Sequence, residues 1–246
     1  MRILDFLTHP PFQYTLAKSG HDFVVAASEM YAGWPEQLPP LPDNTEVVEV
    51  PEDPGSFDVV IVSTPEQYSR IDGRVDPGRI VFLSHTVLHP WDVEFFCRLP
   101  ADVEVVYVSD HKRASFGRLG KRGRTIPLGV DAGEFDGYSG EQPTVLNVTN
   151  RYARQEDREY PLFRGLTKGL DSQVVGHGNE EIPGAYPATD FEHLQQIYRQ
   201  HRCFVNTDAQ GRLHLCTLEA LATGMPLVTV PTAELEPRVQ GGVNAL

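Results

Sequence analysis

The chain has 246 residues and a formal net charge of −13, from 21 Lys and Arg against 34 Asp and Glu. That length accommodates one large domain or two small ones, at about 100–200 residues each. The acidic balance excludes a non-specific nucleic-acid binder, which needs clustered Lys and Arg to neutralise phosphates, and 40% hydrophobic with 22% charged residues excludes wholesale disorder.

In chain order, Arg2–Leu7 predicts a short apolar strand, Phe12–Ser19 a helix stopped at Gly20, and Asp22–Ala27 a second strand. Residues 33–44, with four prolines and a glycine, read as a loop, and Glu46–Val50 is weakly strand-like. Phe57–Ser63, Arg79–Ser84 and Val103–Ser109 are near-continuous apolar runs, the pattern of parallel strands buried on both faces. Helices are predicted at 65–71, 90–98 and 110–119. A second alternating block starts near Pro143, with strands at Thr144–Thr149, Gln173–Val175, Cys203–Asn206 and Leu227–Val230, and helices near 159–168, 190–200, 213–223 and 233–240. Gly129–Gln142 between the blocks reads as a linker. The expectation is α/β: two Rossmann-like domains, 1–138 and 139–246, facing across a cleft, with ligands at the carboxyl ends of the strands. No apolar run reaches the ~18 residues of a membrane span, and the N-terminus lacks a signal-peptide pattern. Cys97, Cys203 and Cys216 form no CxxC pair, so neither a zinc ribbon nor a disulfide framework is indicated. A soluble cytoplasmic protein is expected.

The stretch Gly211–Pro226 carries most of the chemistry. Leu215, Leu218, Leu221 and Ala222 give one apolar helix face, ended at Thr223-Gly224. The start of that helix, near Arg212–Leu215 and so including His214, offers unpaired N–H groups and a positive dipole end for a diphosphate. Glu219, farther along, is either an acceptor for a ribose diol or a solvated helix residue. Asn150–Arg158 places Arg151, Arg154 and Arg158 at the end of a predicted strand, as a diphosphate grip or as a surface cluster among Glu156, Asp157 and Glu159. His9 follows the first strand and His85 the strand at 79–84, each as a general base, an acceptor-binding group or a structural loop residue. His111, His193 and His201 read as helix-surface residues, as does His214 apart from its place at the helix start. Lys112, Arg113, Arg118, Lys121, Arg122 and Arg124 form one basic cluster, read as a solvated face or as a peripheral contact with an acidic membrane surface.

Glu219-Ala-Leu-Ala-Thr-Gly-Met-Pro-Leu-Val228 resembles the second half of the signature of retaining GT-B glycosyltransferases, family 4. Ile126-Pro-Leu-Gly-Val-Asp131 with Phe135 resembles the segment that enters their second domain, and Val174-Val-Gly-His-Gly178 resembles their turn beside the nucleotide base. The resemblance implies transfer of a sugar from a nucleotide-diphosphate-sugar donor to an acceptor hydroxyl, with retention; the acceptor is a glycan, a lipid or a small molecule. Taken with the reading of the residues above, this gives donor contacts from Arg151, Arg154, Arg158, Gly176, His177, His214, Leu215 and Glu219, and catalytic contributions from His85, His9 and Arg158. It calls for no cofactor and no metal held by protein side chains. The alternative is a catalytically weak binding module for a nucleotide or nucleotide sugar. That alternative is motivated by Gly211, which stands where the family has the first Glu of its motif; Asp208 is the nearby carboxylate. The chain stops where the family continues into further helices, so it reads as a compact or trimmed form.

Overall fold

The computed structural model describes residues 1–28, 31–36, 38–49, 51, 53–154, 159–208 and 214–230. It divides into two compact units, Met1–Leu128 and Gly129–Leu246.

Among its described residues unit 1 holds seven parallel strands: β1 (Arg2–Phe6), β2 (Asp22–Ala26), β3 (Thr45–Val48), β4 (Val59–Val62), β5 (Ile80–Ser84), β6 (Glu104–Tyr107) and β7 (Arg124–Thr125), in the order β3-β2-β1-β4-β5-β6-β7. Its helices are α1 (Pro10–Ala17), α2 (Pro65–Ile71), α3 (Val93–Arg98) and α4 (Asp110–Ser115). Alternation along the strands explains the unbroken apolar runs. Leu4, Val60, Phe82 and Val105 point into one core layer, while Ile3, Ile61, Leu83 and Val106 point into the other. Helix α1 begins earlier than its periodicity predicts, because Pro10 and Pro11 suit a first turn and His9 caps it. Strand β7 is too short to carry a periodic signal.

Unit 2 repeats the plan with β8 (Gln142–Val148), β9 (Ser172–Val175), β10 (His201–Asn206) and β11 (Leu227–Thr229), all parallel, in the order β11-β10-β8-β9. The helices are α5 (Glu159–Leu166), α6 (Phe191–Gln200) and α7 (Leu215–Thr223). Leu146, Phe204 and Leu227 fill one face of the sheet, and Val145, Val174 and Val205 the other. Gly224, at φ 86°, closes α7 in the left-handed conformation, as the Thr-Gly stop predicts.

The division falls after Leu128, and residues 129–141 are docked on unit 2 rather than forming a free linker. Phe135 is buried against Phe191 and Tyr198. Gln195 donates to the Glu134 carbonyl at 2.7 Å and Arg199 to that of Asp136 at 2.6 Å. Composition marks this segment as loop but does not reveal that one phenylalanine anchors it. His201, expected on a helix surface, starts β10 and is buried, with Nδ1 2.7 Å from the Ile197 carbonyl. The helix expected at 233–240 lies outside the described residues. Among the described residues no helix is long and apolar enough to cross a membrane.

Candidate functional site

In each sheet the chain turns back at one point: between β1 and β4 in unit 1, and between β8 and β10 in unit 2. Loops leaving two neighbouring strands in opposite directions open a crevice there, the ordinary ligand position of open α/β sheets.

In unit 2 the loops after β8 and β9 are clasped together. Asn150 Oδ1 accepts from the His177 amide at 2.8 Å, and the Arg151 amide donates to the His177 carbonyl at 2.8 Å. Asn179 Oδ1 accepts from the Tyr152 amide at 2.7 Å, while its Nδ2 donates to Thr149 at 2.7 Å and Gly176 at 3.1 Å. The clasp leaves no room for side chains at its glycines. A Cβ on Gly176 would run into the Thr149 carbonyl, and one on Gly178 would sit 2.7 Å from Arg151 Cγ. Gly176 therefore does a backbone job that needs no ligand. The same clasp holds Arg151 at φ 53°, a left-handed conformation that non-glycine residues rarely adopt, with its side chain exposed. His177 is exposed beside it. Arg154 lies in a short 3₁₀ turn, Tyr152–Arg154. Arg158 and Gly211 lie outside the described residues.

On the other side of the turn-back point, β10 runs through Asn206 to Thr207 and Asp208, both buried. The Asp208 carboxylate is bonded to Nε2 of His214, the N-cap residue of α7. The Asp208 side chain is 2% exposed and that of His214 39%. His214 gives α7 no side-chain cap, because its ring turns to Asp208 instead. A carboxylate accepting from Nε2 leaves Nδ1 as the outward nitrogen. Leu215, first residue of the helix, is buried.

Glu219 is not a solvated helix residue. It is half-buried, and its Oε2 accepts from the hydroxyl of Tyr198, a fully buried residue of α6, at 2.8 Å. Burial pushes the carboxyl up to about 7, against the opposing pull of the Tyr198 bond. One oxygen of Glu219 is thus committed to the protein, and Tyr198 fixes the orientation of the other. Sequence patterning missed Tyr198, because a tyrosine at an apolar helix position reads as core.

In unit 1, His9 and His85 come together, with ring centroids 6.1 Å apart and planes 20° from parallel. His9 follows β1 and its Nδ1 accepts from the Phe12 amide at 3.3 Å. Gln13 holds the loop: its Oε1 accepts from the Thr8 and His9 amides at 3.1 and 3.2 Å, and its Nε2 donates to Asp5 at 3.1 Å. Gln67, at the start of α2, donates to Thr8 Oγ1 at 2.8 Å and accepts from the Ser63 amide at 2.7 Å. His85 follows β5 and meets the edge of Phe12, with centroids 4.9 Å apart. Burial lowers its pKa to about 3, helped by His9 and the Lys112 ammonium. A base that weak removes a hydroxyl proton poorly at neutral pH, so His85 is suited to hydrogen-bond as a neutral ring. Burial likewise raises Asp5 to about 7.

The basic cluster at 112–124 is largely spent on the fold. Lys112 is buried, Arg113 Nε donates to the Gly120 carbonyl at 2.8 Å, and Arg122 donates to those of Leu99 at 3.0 Å and Pro100 at 2.5 Å. Arg124 pairs with Glu104 at 2.6 Å. Among the described residues no group of three or more His, Cys, Asp or Glu is placed to hold a metal ion.

No family model matches the chain, and no curated protein matches it. Among solved structures it is similar to sucrose-phosphate synthase from Thermosynechococcus elongatus, with TM-score 0.72 and 12% identity over 100% of this chain and 85% of that one. It is similar to WaaG, a glycosyltransferase involved in lipopolysaccharide biosynthesis, with TM-score 0.61 and 13% identity over 95% of this chain and 82% of that one. The fold is that of the GT-B glycosyltransferases. TarM matches 76% of this chain and 44% of its own, with TM-score 0.56 and 11% identity. Identities of 11–13% speak to the backbone path, so residue roles rest on the geometry above.

Proposed function

We propose that the chain is a glycosyltransferase that moves a sugar from a nucleoside-diphosphate-sugar donor to an acceptor hydroxyl, with retention of configuration. The observation that carries this reading is the pairing, at the turn-back point of unit 2, of an exposed arginine held in a strained backbone with an uncapped helix N-terminus bearing the Asp208–His214 pair. The donor's diphosphate takes its charge-assisted bonds from Arg151 and from the first-turn N–H groups at the start of α7, beside His214. As the bond from sugar to phosphate breaks, negative charge grows on the phosphate oxygens, and fixed donors of this kind stabilise it. Each is worth about 10²–10³ in rate in well-studied enzymes. Glu219, oriented by Tyr198, accepts from the ribose hydroxyls. Unit 1 serves the acceptor, with His85 as a neutral hydrogen-bonding ring and His9 beside it. The named activity of WaaG and the synthase named above support the reaction class. Retention rests on the resemblance of residues 219–228 to the family 4 signature.

The test is calorimetric titration with UDP, GDP and ADP, followed by a transfer and hydrolysis assay over a panel of their sugars. Binding of at least one diphosphate, weakened in Arg151→Ala, and turnover of its sugar are the expected results. If no nucleoside diphosphate binds, the reading fails. Gly211, in place of the first motif Glu, favours the second reading, a nucleotide-sugar binding module. Binding without turnover in every acceptor mixture would select it.

A further inference from the structure

The loop between β5 and α3 carries an aromatic group that the reading above leaves unused. Trp91 is 75% exposed, yet it is not on a loose tail. Its indole lies flat on the His89 imidazole, with centroids 4.6 Å apart and planes 5° from parallel. His89 is the N-cap of a short 3₁₀ turn, Pro90–Asp92, whose proline limits its freedom. On the inner side of the loop Leu88 packs against the unit 1 core, and its amide donates to Ser115 Oγ at 3.1 Å. Ser84 Oγ reaches the Thr86 carbonyl at 3.2 Å. The loop starts at His85, directly after β5.

An indole backed on one face by a parallel ring, and open to water over most of its surface, keeps its other face for a ligand. That face is large, apolar and weakly negative through its quadrupole. A pyranose ring fits it well, because a patch of weakly positive C–H groups covers the indole while the hydroxyls at the rim stay wet. Charge discriminates among occupants. Asp92 follows Trp91 directly, Glu94, three residues on, is balanced by its ion pair with Arg98 at 2.5 Å, and the chain as a whole carries −13. Such a field repels phosphate-bearing or anionic lipid surfaces and is indifferent to a neutral sugar. We propose that Trp91, backed by His89, is a stacking platform for a neutral pyranose ring of the acceptor. The word acceptor rests on the glycosyl-transfer reading, whereas the platform stands on its own geometry.

The chain has two tryptophans, which makes the test direct. Trp34 is half-buried, with Nε1 donating to the Pro39 carbonyl at 2.9 Å. The full chain is titrated with neutral mono- to trisaccharides of glucose, galactose and mannose while tryptophan emission is followed. At least one sugar is expected to give a saturable change that persists in Trp34→Phe and vanishes in Trp91→Ala. Calorimetry is expected to show binding at least about tenfold weaker in Trp91→Ala and within about threefold of the unmodified chain in Trp91→Phe, since the aromatic face carries the contact. Equal melting temperatures keep a folding defect out of the comparison. The proposal is overturned if no sugar changes the emission, or if the change survives Trp91→Ala. It is overturned equally if vesicles of phosphatidylcholine and phosphatidylglycerol, and not sugars, shift the Trp91 emission. Diphosphate binding by the unmodified chain, measured in parallel, decides the nucleotide reading separately.

Discussion

In unit 1 the loops at the turn-back point are closed by neutral amides. Gln13 and Gln67 occupy the ends of β1 and β4, and the ring of His85 is held uncharged nearby. In unit 2 the corresponding loops are closed by Asn150 and Asn179 at the backbone level, so the side chains of Arg151 and His177 stay outside. The same parallel architecture therefore presents a neutral, hydroxyl-compatible edge in one unit and an ionic one in the other. An amide long enough to span a loop fills the crevice itself, whereas a short asparagine with two flanking glycines draws the loops together and pushes the charged side chain out.

The largest expected effect breaks the clasp. Gly176→Val places a Cβ against the Thr149 carbonyl at φ 148°, so urea denaturation is expected to show a loss of about 2–4 kcal/mol. Gly165→Ala, where nothing lies within 4 Å, should stay within about 0.5–1 kcal/mol of the unmodified chain, in the stabilising direction. If the two behave alike, the clasp is not what shapes unit 2.

A pH series sharpens the comparison next. Asp5 in unit 1 and Glu219 in unit 2 titrate near 7 when folded and at ordinary carboxylate values when unfolded. Between about pH 4 and 7 the folded chain holds protons that the unfolded chain releases, so stability is greatest at the acid end of this window and falls as pH rises through 7. The slope from each group is on the order of 1 kcal/mol per pH unit. Glu219→Gln keeps an oxygen for the Tyr198 hydroxyl and removes the charge. Urea midpoints at pH 5 to 8 should then flatten by the Glu219 share alone, leaving that of Asp5.

Arg151 separates stability from binding. Arg151→Gly relieves the left-handed backbone, worth about 1 kcal/mol of added stability, while diphosphate affinity falls about 10–100-fold. A variant that loses both, or neither, contradicts a strained functional position. The smallest effect is expected from Asp208→Asn. The amide oxygen still accepts from Nε2 of His214 but more weakly than the carboxylate, so the ring at the helix start is held less firmly and calorimetry should give a change of no more than about threefold in diphosphate affinity. Binding of neutral sugars to unit 1 should not change.

Much of this was legible in the chain. The apolar runs at 57–63, 79–84 and 103–109 are strands because a parallel sheet covered on both faces admits nothing polar in its middle. The helix before Thr223-Gly224 is legible because a left-handed stop needs glycine. Other features were not. Phe135 anchors a segment whose composition reads as linker, and Lys112 and Arg122 sit in a basic run whose charges serve buried contacts and carbonyl groups. Both depend on partners far away in sequence, which local patterns do not encode.

By itself the sequence determined the alternation of strands and helices and, β7 apart, where the strands end to within a residue or two, and hence which residues stand at a sheet edge: His9, His85, Arg151 and the 207–214 stretch. Periodicity and turn chemistry are local, and local rules suffice for that. Only the tertiary structure decided what those residues are. It bonds Asp208 to His214, turns Glu219 toward Tyr198, strips His85 of its charge and sets Trp91 on His89. Protonation, orientation and exposure depend on which groups from distant elements share a few ångströms of space, and that proximity is set by packing.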